Sequence, residues 1–207
     1  MSKEAIYIIL PLITLIHTLY AEQNKGLYKY FYLSLAFTIL NELVVHIQVN
    51  FNLGRPSIFY NIYMPICFII YYQMYKDQIL DDILKKTCNI FTFLIVGIAI
   101  FEAILFVDIF NDYFKLTYYI GTGMLLYLIF NFLKQTLVKE EYEDIYHNNY
   151  FWISLGLLLF YIPFLPIFFT VNFTAAIRPD IFFYIVLFLN ILMHIFFNLA
   201  FRWKKKN

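Results

Sequence analysis

Charged side chains are scarce in this sequence of 207 residues, of which 14% are Asp, Glu, Lys or Arg. Soluble globular domains carry about 25% charged residues, so the chain lies well outside the usual soluble composition. The net charge of +1 comes from short polar segments without a basic stripe, so nucleic acid is not an expected partner. Hydrophobic residues make up 62% of the chain and aromatic residues 22%, which predicts a protein of the lipid bilayer.

Cysteine is also scarce: the chain has two, Cys67 and Cys88. Their spacing matches no metal-binding or redox motif, and the topology derived below places them at different depths. We therefore expect no disulfide between them and interpret both as ordinary small apolar residues. No cofactor is expected from any motif in the sequence.

Seven apolar runs approach the roughly 20 residues that a helix needs to cross the hydrocarbon layer. The first run lacks the basic start and the cleavage site of a secretory signal, so we interpret it as a helix of the mature protein. Connections of about 5 to 16 residues leave no room for a second domain. The sequence predicts an all-α integral membrane protein, a single seven-transmembrane helix bundle over residues 1–207. Its predicted helices are 5–21, 27–48, 57–75, 88–107, 116–137, 150–173 and 179–201.

The distribution of basic residues predicts the orientation of the bundle. With a cytoplasmic C-terminus, 11 of the 15 Lys and Arg residues lie inside and 4 outside, as the positive-inside rule requires. Trp152 and Trp203 would anchor the same inner face. We therefore expect an outside N-terminus, a cytoplasmic C-terminus and a location in the bacterial inner (plasma) membrane. The inner residues are Lys25, Lys29, Lys76, Lys85, Lys86, Lys134, Lys139, Arg202, Lys204, Lys205 and Lys206, and the outer ones are Lys3, Arg55, Lys115 and Arg178.

Ionisable residues within the apolar runs mark a candidate site near the outer surface. Glu42 and His46 are four residues apart and share one helix face, and lipid tolerates such groups only when they face a protein interior or water. A rise of 1.5 Å per residue places Glu42 and Glu102 roughly 8–10 Å below the outer surface. With Asn61, these residues predict an outer polar cavity for a small ligand, ion or proton. Two carboxyl groups sharing that cavity cannot easily both ionise, so we expect them to be coupled.

A second polar layer is predicted near the inner surface. His17 on the first helix and His194 on the last lie at similar depths, and Asn190, His194 and Asn198 repeat at a spacing of four along the last helix. Interhelical hydrogen bonds that hold the bundle together are the favoured interpretation, and a ligand site is the alternative.

Two inner segments are candidates for contact with a cytoplasmic or membrane partner. Residues 76–86 place Asp81 four residues before Lys85 with apolar residues on the opposite face, which predicts a short amphipathic helix on the inner surface. Residues 134–150 form the longest connection and are acidic. A merely solvated loop is the alternative interpretation of both segments. Assembly into a homo-oligomer also stays open.

Three segments carry a resemblance to a group of known proteins. They are Tyr60–Tyr63, which opens the third helix, Phe151–Gly156, which opens the sixth, and Ala200–Lys204 at the end of the last. In these segments the chain resembles small stand-alone seven-helix bacterial membrane proteins, similar in build to the sensor halves of seven-helix histidine kinases. We therefore expect a non-enzymatic, receptor-like sensor or regulatory subunit, whose outer cavity around Glu42, His46 and Glu102 takes a small ligand, ion or proton and whose inner loops signal to a separate partner.

Three other functions remain as alternatives. The first is a membrane accessory or pore-forming effector of a bacterial defence or stress system, and the second is a small-solute or ion transporter. The third is a membrane metallohydrolase with zinc on Glu42, His46 and Glu102. Seven-helix zinc hydrolases are disfavoured because the last helix has one imidazole, that of His194, where they carry His-x-x-x-His. Retinal is disfavoured because the last helix has no lysine within its span.

Overall fold

The structure is a computed structural model that describes residues 5–21, 28–105, 108–139, 145–173 and 178–202. Within these ranges the chain forms seven long α-helices and no β-strand, which confirms the all-α prediction. The largest difference from the predicted bounds is at the fourth helix, which begins six residues earlier than expected. The helices are α1 (Ala5–Ala21), α2 (Lys29–Asn50), α3 (Ser57–Gln78), α4 (Asp82–Leu105), α5 (Lys115–Lys139), α6 (Asn149–Phe173) and α7 (Pro179–Ala200).

Five of these helices are long and apolar enough to cross a membrane, namely α2, α4, α5, α6 and α7. Their outward faces carry large apolar side chains, such as Phe93 and Ile104 on α4, which are 78% and 73% exposed. Water would solvate such faces poorly, whereas lipid contacts them favourably. The chain is therefore a multi-pass membrane protein. The α1 helix is apolar but shorter, at 17 residues.

Contacts divide the chain into two compact units. Unit 1 comprises Met1–Leu15 and Asn24–Phe132, and unit 2 comprises Ile16–Gln23 and Leu133–Asn207. In unit 1, α3 packs against both α2 and α4, and in unit 2, α6 packs against α7. The single seven-helix domain expected for residues 1–207 stays a prediction.

The core of unit 1 is built around α3. This helix buries three large side chains almost completely, those of Phe68, Tyr72 and Tyr75. The Tyr72 hydroxyl donates a 2.9 Å hydrogen bond to the carbonyl oxygen of Gly121 on α5. A Cβ atom at Gly121 would lie 2.5 Å from the Phe68 ring, so the absence of a side chain at that position allows the close approach of α3 and α5.

Unit 2 uses a similar small-residue contact. Gly156 on α6 lies against α7, because a Cβ atom there would stand 3.0 Å from the carbonyl oxygen of Met193. At the start of α6, the Trp152 indole donates a 2.9 Å hydrogen bond to the carbonyl oxygen of Tyr146. The same indole ring contacts Phe196 on α7, with ring centroids 6.0 Å apart. Trp152 thus fixes the entry of α6 onto α7.

The prediction of a separate amphipathic helix over residues 76–86 is wrong. The α3 helix continues to Gln78, the backbone of Ile79 is extended, and a new helix begins at Asp82. The cause is the Asp81 side chain, which accepts a 2.7 Å hydrogen bond from the backbone N–H of Ile83 and so caps the new helix instead of pairing with Lys85. Lys85 instead lies 3.5 Å from Asp82.

The structure describes part of the second segment predicted to contact a partner, residues 134–150. Its beginning belongs to α5, which runs to Lys139, and Ile145, a residue of unit 2, is buried. The acidic residues that gave this segment its predicted role, Glu140, Glu141, Glu143 and Asp144, lie outside the described residues. The basic cluster from Trp203 to Lys206 also lies outside them.

Candidate functional site

Asn61 organises the connection between α4 and α5. Its side-chain amide donates to the carbonyl oxygens of Ile109 and Asp112, at 3.1 and 2.8 Å, and its carbonyl accepts from the backbone N–H of Phe114 at 2.9 Å. The side chain is buried, with 2% of its surface exposed. These three hydrogen bonds engage the amide in holding the loop, and a role of Asn61 in binding a ligand stays a prediction.

Glu102 caps the start of α5. Its two carboxylate oxygens accept hydrogen bonds from the backbone N–H groups of Leu116 and Thr117, at 2.9 and 2.8 Å. A carboxylate at a helix N-terminus is stabilised both by these donors and by the helix dipole. Glu102 is buried and its negative charge is therefore compensated by the fold itself.

Glu42 has a different environment from Glu102. The hydroxyl of Tyr60 on α3 lies 3.3 and 3.4 Å from its two carboxylate oxygens, which are long distances for a hydrogen bond to a carboxylate. The Tyr60 ring contacts that of Tyr113, with centroids 6.0 Å apart. Glu42 itself is partly exposed. In the described residues this carboxyl group lies near two side-chain donors, the Tyr60 hydroxyl and the amide of the adjacent Asn41, whereas Glu102 is held by backbone groups of a helix end.

His46 lies one helical turn beyond Glu42 on α2. Its Nε2 atom is 2.9 Å from the side-chain nitrogen of Asn50, so the ring contacts its own helix. Within the described residues no three His, Cys, Asp or Glu side chains come together as a metal-binding group. Glu42, His46 and Glu102 accordingly do not form the three-ligand set that the metallohydrolase alternative requires.

The four residues predicted to line the outer cavity therefore divide into two pairs by their contacts. Asn61 and Glu102 both hold the α4–α5 connection and the first turn of α5. Glu42 and His46 contact side chains of α3 and α2 respectively. The contacts of Glu42 and Glu102 are distinct, and their coupling stays a prediction.

Polar residues of the loops continue this network. Arg55, which follows α2, donates a 3.2 Å hydrogen bond to the carbonyl oxygen of Asn111 in the α4–α5 connection. Asp108 accepts from the Asn111 side chain at 2.7 Å and from the N–H of Phe110 at 3.1 Å, and these bonds lower its pKa. Burial raises the pKa of Tyr113 in the same loop. The connection is therefore held from within and from α3.

The inner polar residues are placed along α7 and at the end of α1. Asn190 and Asn198 donate to carbonyl oxygens of their own helix, those of Val186 and His194, at 2.9 and 2.7 Å. The His194 ring is buried and meets Phe197 edge to face. His17 is exposed, and together with Asn198 it lines an open cavity in unit 2. The structure thus brings His17 and Asn198 together.

Sequence reasoning missed the partners of these residues. Tyr60 is the hydrogen-bond donor to Glu42, yet in a chain with 19 tyrosines and 25 phenylalanines one tyrosine carries no distinguishing signal. The capping role of Glu102 depends on the N-terminus of α5, which lies 14 residues further along the chain. The short connection that follows Glu102 is the one feature of the sequence that could have indicated this role.

Comparison of the chain with protein families, with curated proteins and with solved structures finds no match.

Proposed function

We propose that this chain is a receptor-like sensor or regulatory subunit of the bacterial inner membrane, and that its input is a proton or a small cation at Glu42. In this proposal seven helices cross the membrane, with the N-terminus outside and the C-terminus in the cytoplasm. Glu42 then lies on the outer half of α2, where it is reached from outside. The proposal rests on the contrast between the two carboxyl groups of unit 1.

That contrast lies in the hydrogen bonds that each carboxyl group receives. Glu102 accepts from two backbone N–H groups at 2.8 and 2.9 Å at a helix N-terminus, so its anionic form is compensated without a ligand. The donors near Glu42 are side chains, namely the Tyr60 hydroxyl at 3.3 to 3.4 Å and the amide of the adjacent Asn41. An anion with so little compensation in an apolar region is strongly stabilised by an added proton or cation. Glu42 is therefore the group whose state an external ion changes.

A change of charge at Glu42 acts first on the contact between α2 and α3. The Tyr60 hydroxyl joins the two helices at this point, and α3 packs on both α2 and α4. Proton or cation uptake alters the acceptor that Tyr60 faces and so shifts the balance between two arrangements of these helices. The connection between α3 and α4, at residues 79–81, is where such a shift would reach a cytoplasmic or membrane partner.

Infrared titration of the full chain in lipid nanodiscs tests the input. We expect a protonated-carboxyl band that responds to external pH and disappears in Glu42→Gln. Glu102→Gln is the matched control, because Glu102 is a buried carboxyl group of the same unit whose partners are backbone groups. A pH-dependent carboxyl band that survives in Glu42→Gln would overturn the proposal.

Infrared spectra recorded with alkali and alkaline-earth ions at fixed pH test whether the input is a cation instead of a proton. We expect the wild-type carboxylate band to shift with one of these ions and the Glu42→Gln spectrum to stay unchanged. Ion or solute flux through proteoliposomes that is lost in Glu42→Gln would favour the transporter alternative instead. Flux that is unaffected by Glu42→Gln, with no response of the band, would leave Glu42 without a role and contradict the proposal.

A further inference from the structure

An open cavity of about 420 Å³ lies in unit 2 where the last turns of α1 and α7 meet. Its volume falls within the range of about 300–1,000 Å³ that small-molecule sites occupy. The lining combines polar and basic residues with aliphatic ones. The lining residues are His17, Ile195, Asn198, Leu199 and Arg202.

Arg202 is the distinctive member of this lining. Arg178 forms an ion pair with Asp180 at 2.8 Å, and Arg55 donates to the carbonyl oxygen of Asn111. In the part of the chain that the structure describes, Arg202 has neither a carboxylate nor a carbonyl partner for its guanidinium group. A guanidinium group presents five donors in a planar fork that suits a phosphate or a carboxylate. Its position in a cavity beside an imidazole therefore suits an anion.

The aliphatic members of the lining indicate an anion that carries an apolar chain. Ile195 is 48% exposed, and the neighbouring residues Ile16 and Ile191 also expose their side chains on the outward faces of α1 and α7. A free inorganic phosphate gains nothing from such contacts, whereas a lipid places its headgroup at the basic residues and its acyl chains along the aliphatic ones. Basic pockets between membrane helices recognise acidic lipid headgroups in this way.

We infer that this cavity binds the headgroup phosphate of an acidic phospholipid. Arg202 and His17 contact the phosphate, and Ile195 and Leu199 contact the first carbons of the acyl chains. The sequence that follows, Trp203-Lys204-Lys205-Lys206, adds three basic residues directly after Arg202. A juxtamembrane basic cluster of this kind raises the local concentration of acidic lipid. The inference is independent of the role proposed for Glu42.

Native mass spectrometry of the full chain tests the site, with phosphatidylglycerol titrated against phosphatidylcholine in detergent. We expect phosphatidylglycerol to be retained and Arg202→Gln to weaken its binding about five-fold, with Arg202→Lys losing less. Arg178→Gln is the matched control, since Arg178 lies at the other end of α7 and is paired with Asp180. Equal losses in Arg202→Gln and Arg178→Gln would overturn the inference.

Two further measurements separate the cavity from other sources of binding. Replacing Lys204, Lys205 and Lys206 by Gln removes the flanking charge, and we expect the difference between wild type and Arg202→Gln to persist in that background. Inorganic phosphate added in excess should not displace the lipid. Displacement of the lipid by inorganic phosphate would assign the site to a free anion. If Arg202→Gln no longer weakens binding once the three lysines are replaced, the binding belongs to the basic cluster. Either result contradicts a lipid site in the cavity. Thermal unfolding of each variant shows whether it is folded.

Discussion

Tyr60 places its hydroxyl group 3.3 and 3.4 Å from the two carboxylate oxygens of Glu42, and this contact joins α3 to α2. The ring of Tyr60 is held in turn by Tyr113 from the α4–α5 connection, at 6.0 Å between centroids. Glu42, Tyr60 and Tyr113 therefore form a continuous series of contacts from α2 through α3 to the loop that Asn61 organises. This relationship makes Tyr60 the first residue on which to test the proposed input.

Tyr60→Phe removes the hydroxyl donor and keeps the ring. We expect the carbonyl-stretch band assigned to Glu42 to move to the frequency of a carboxyl group without that hydrogen bond, and the free energy of unfolding to fall by about 1 kcal/mol. Tyr127→Phe is the control, because Tyr127 is 47% exposed on α5 and its ring contacts Phe91. An unchanged Glu42 band in Tyr60→Phe would show that Tyr60 does not hydrogen-bond the carboxyl group.

The close approach of α3 to α5 predicts opposite results for two glycines of α5. Gly121→Ala places a methyl group 2.5 Å from the buried Phe68 ring, so we expect it to lower the free energy of unfolding by about 1–3 kcal/mol. Gly123→Ala meets no atom within 4 Å, and alanine favours a helix, so we expect unchanged or slightly greater stability. Thermal unfolding in one detergent compares both. Equal effects of the two substitutions would show that Gly121 is not a packing site.

Asp108 predicts a pH dependence confined to the α4–α5 connection. Its pKa lies below the ordinary value of 3.8, chiefly because the Asn111 side chain and then the Phe110 N–H donate to the anion. The anionic form thus stabilises the loop above pH 3.8, and this stabilisation is lost as the pH falls through the lower folded-state pKa. We expect the Phe110 amide signal in NMR spectra to titrate with a midpoint below 3.8. In Asp108→Asn that titration should be absent, and a signal that still titrates would assign it to another group.

Much of the fold follows from the sequence because membrane helices need long apolar runs. The first helix was predicted at the residues where α1 is found, and the bounds of α6 and α7 differ from prediction by one residue. The prediction for the α3–α4 connection was wrong because two features of the sequence favour different structures. Apolar periodicity favoured one amphipathic helix over 76–86, whereas the cap at Asp81 ends one helix and begins another.

The candidate site was predictable as a set of residues but not as a set of contacts. Buried polar groups in apolar helices are recognisable from composition, so Glu42, Asn61 and Glu102 could be selected. Their roles depend on backbone groups and aromatic side chains that are far apart in the sequence. Asn61 accepts a hydrogen bond from Phe114, which lies 53 residues further along the chain. No periodic pattern in the sequence indicates a contact between residues so far apart.

The predicted orientation can be tested with two exposed positions. Leu53 follows α2 and His147 precedes α6, and both side chains are exposed. With the N-terminus outside, a membrane-impermeant maleimide added to intact cells should label Leu53→Cys at once, and His147→Cys after permeabilisation. The native Cys67 and Cys88 are buried, so their contribution is small, and the parent chain measures it. Labelling of His147→Cys in intact cells would reverse the orientation.

Asn61→Ala tests whether the α4–α5 connection is held by one side chain. The substitution removes the acceptor of the Phe114 N–H and the donor to Ile109 and Asp112, in a site where 2% of the Asn61 surface is exposed. A buried N–H left without an acceptor costs about 1–3 kcal/mol, so we expect faster hydrogen exchange at Phe114 and lower overall stability.

Asn131→Ala is the matched control for this loss, because Asn131 is a partly exposed residue of α5 whose amide donates to the carbonyl oxygen of Tyr127 in its own helix. Replacing it by alanine favours the helix and leaves no buried group unpaired, so we expect a change within about 0.5 kcal/mol. Hydrogen exchange followed by mass spectrometry resolves residues 108–114 from the rest of α5. Equal exchange at these residues in Asn61→Ala and Asn131→Ala would show that other contacts hold the connection, and Asn61 would again be a candidate for binding a ligand.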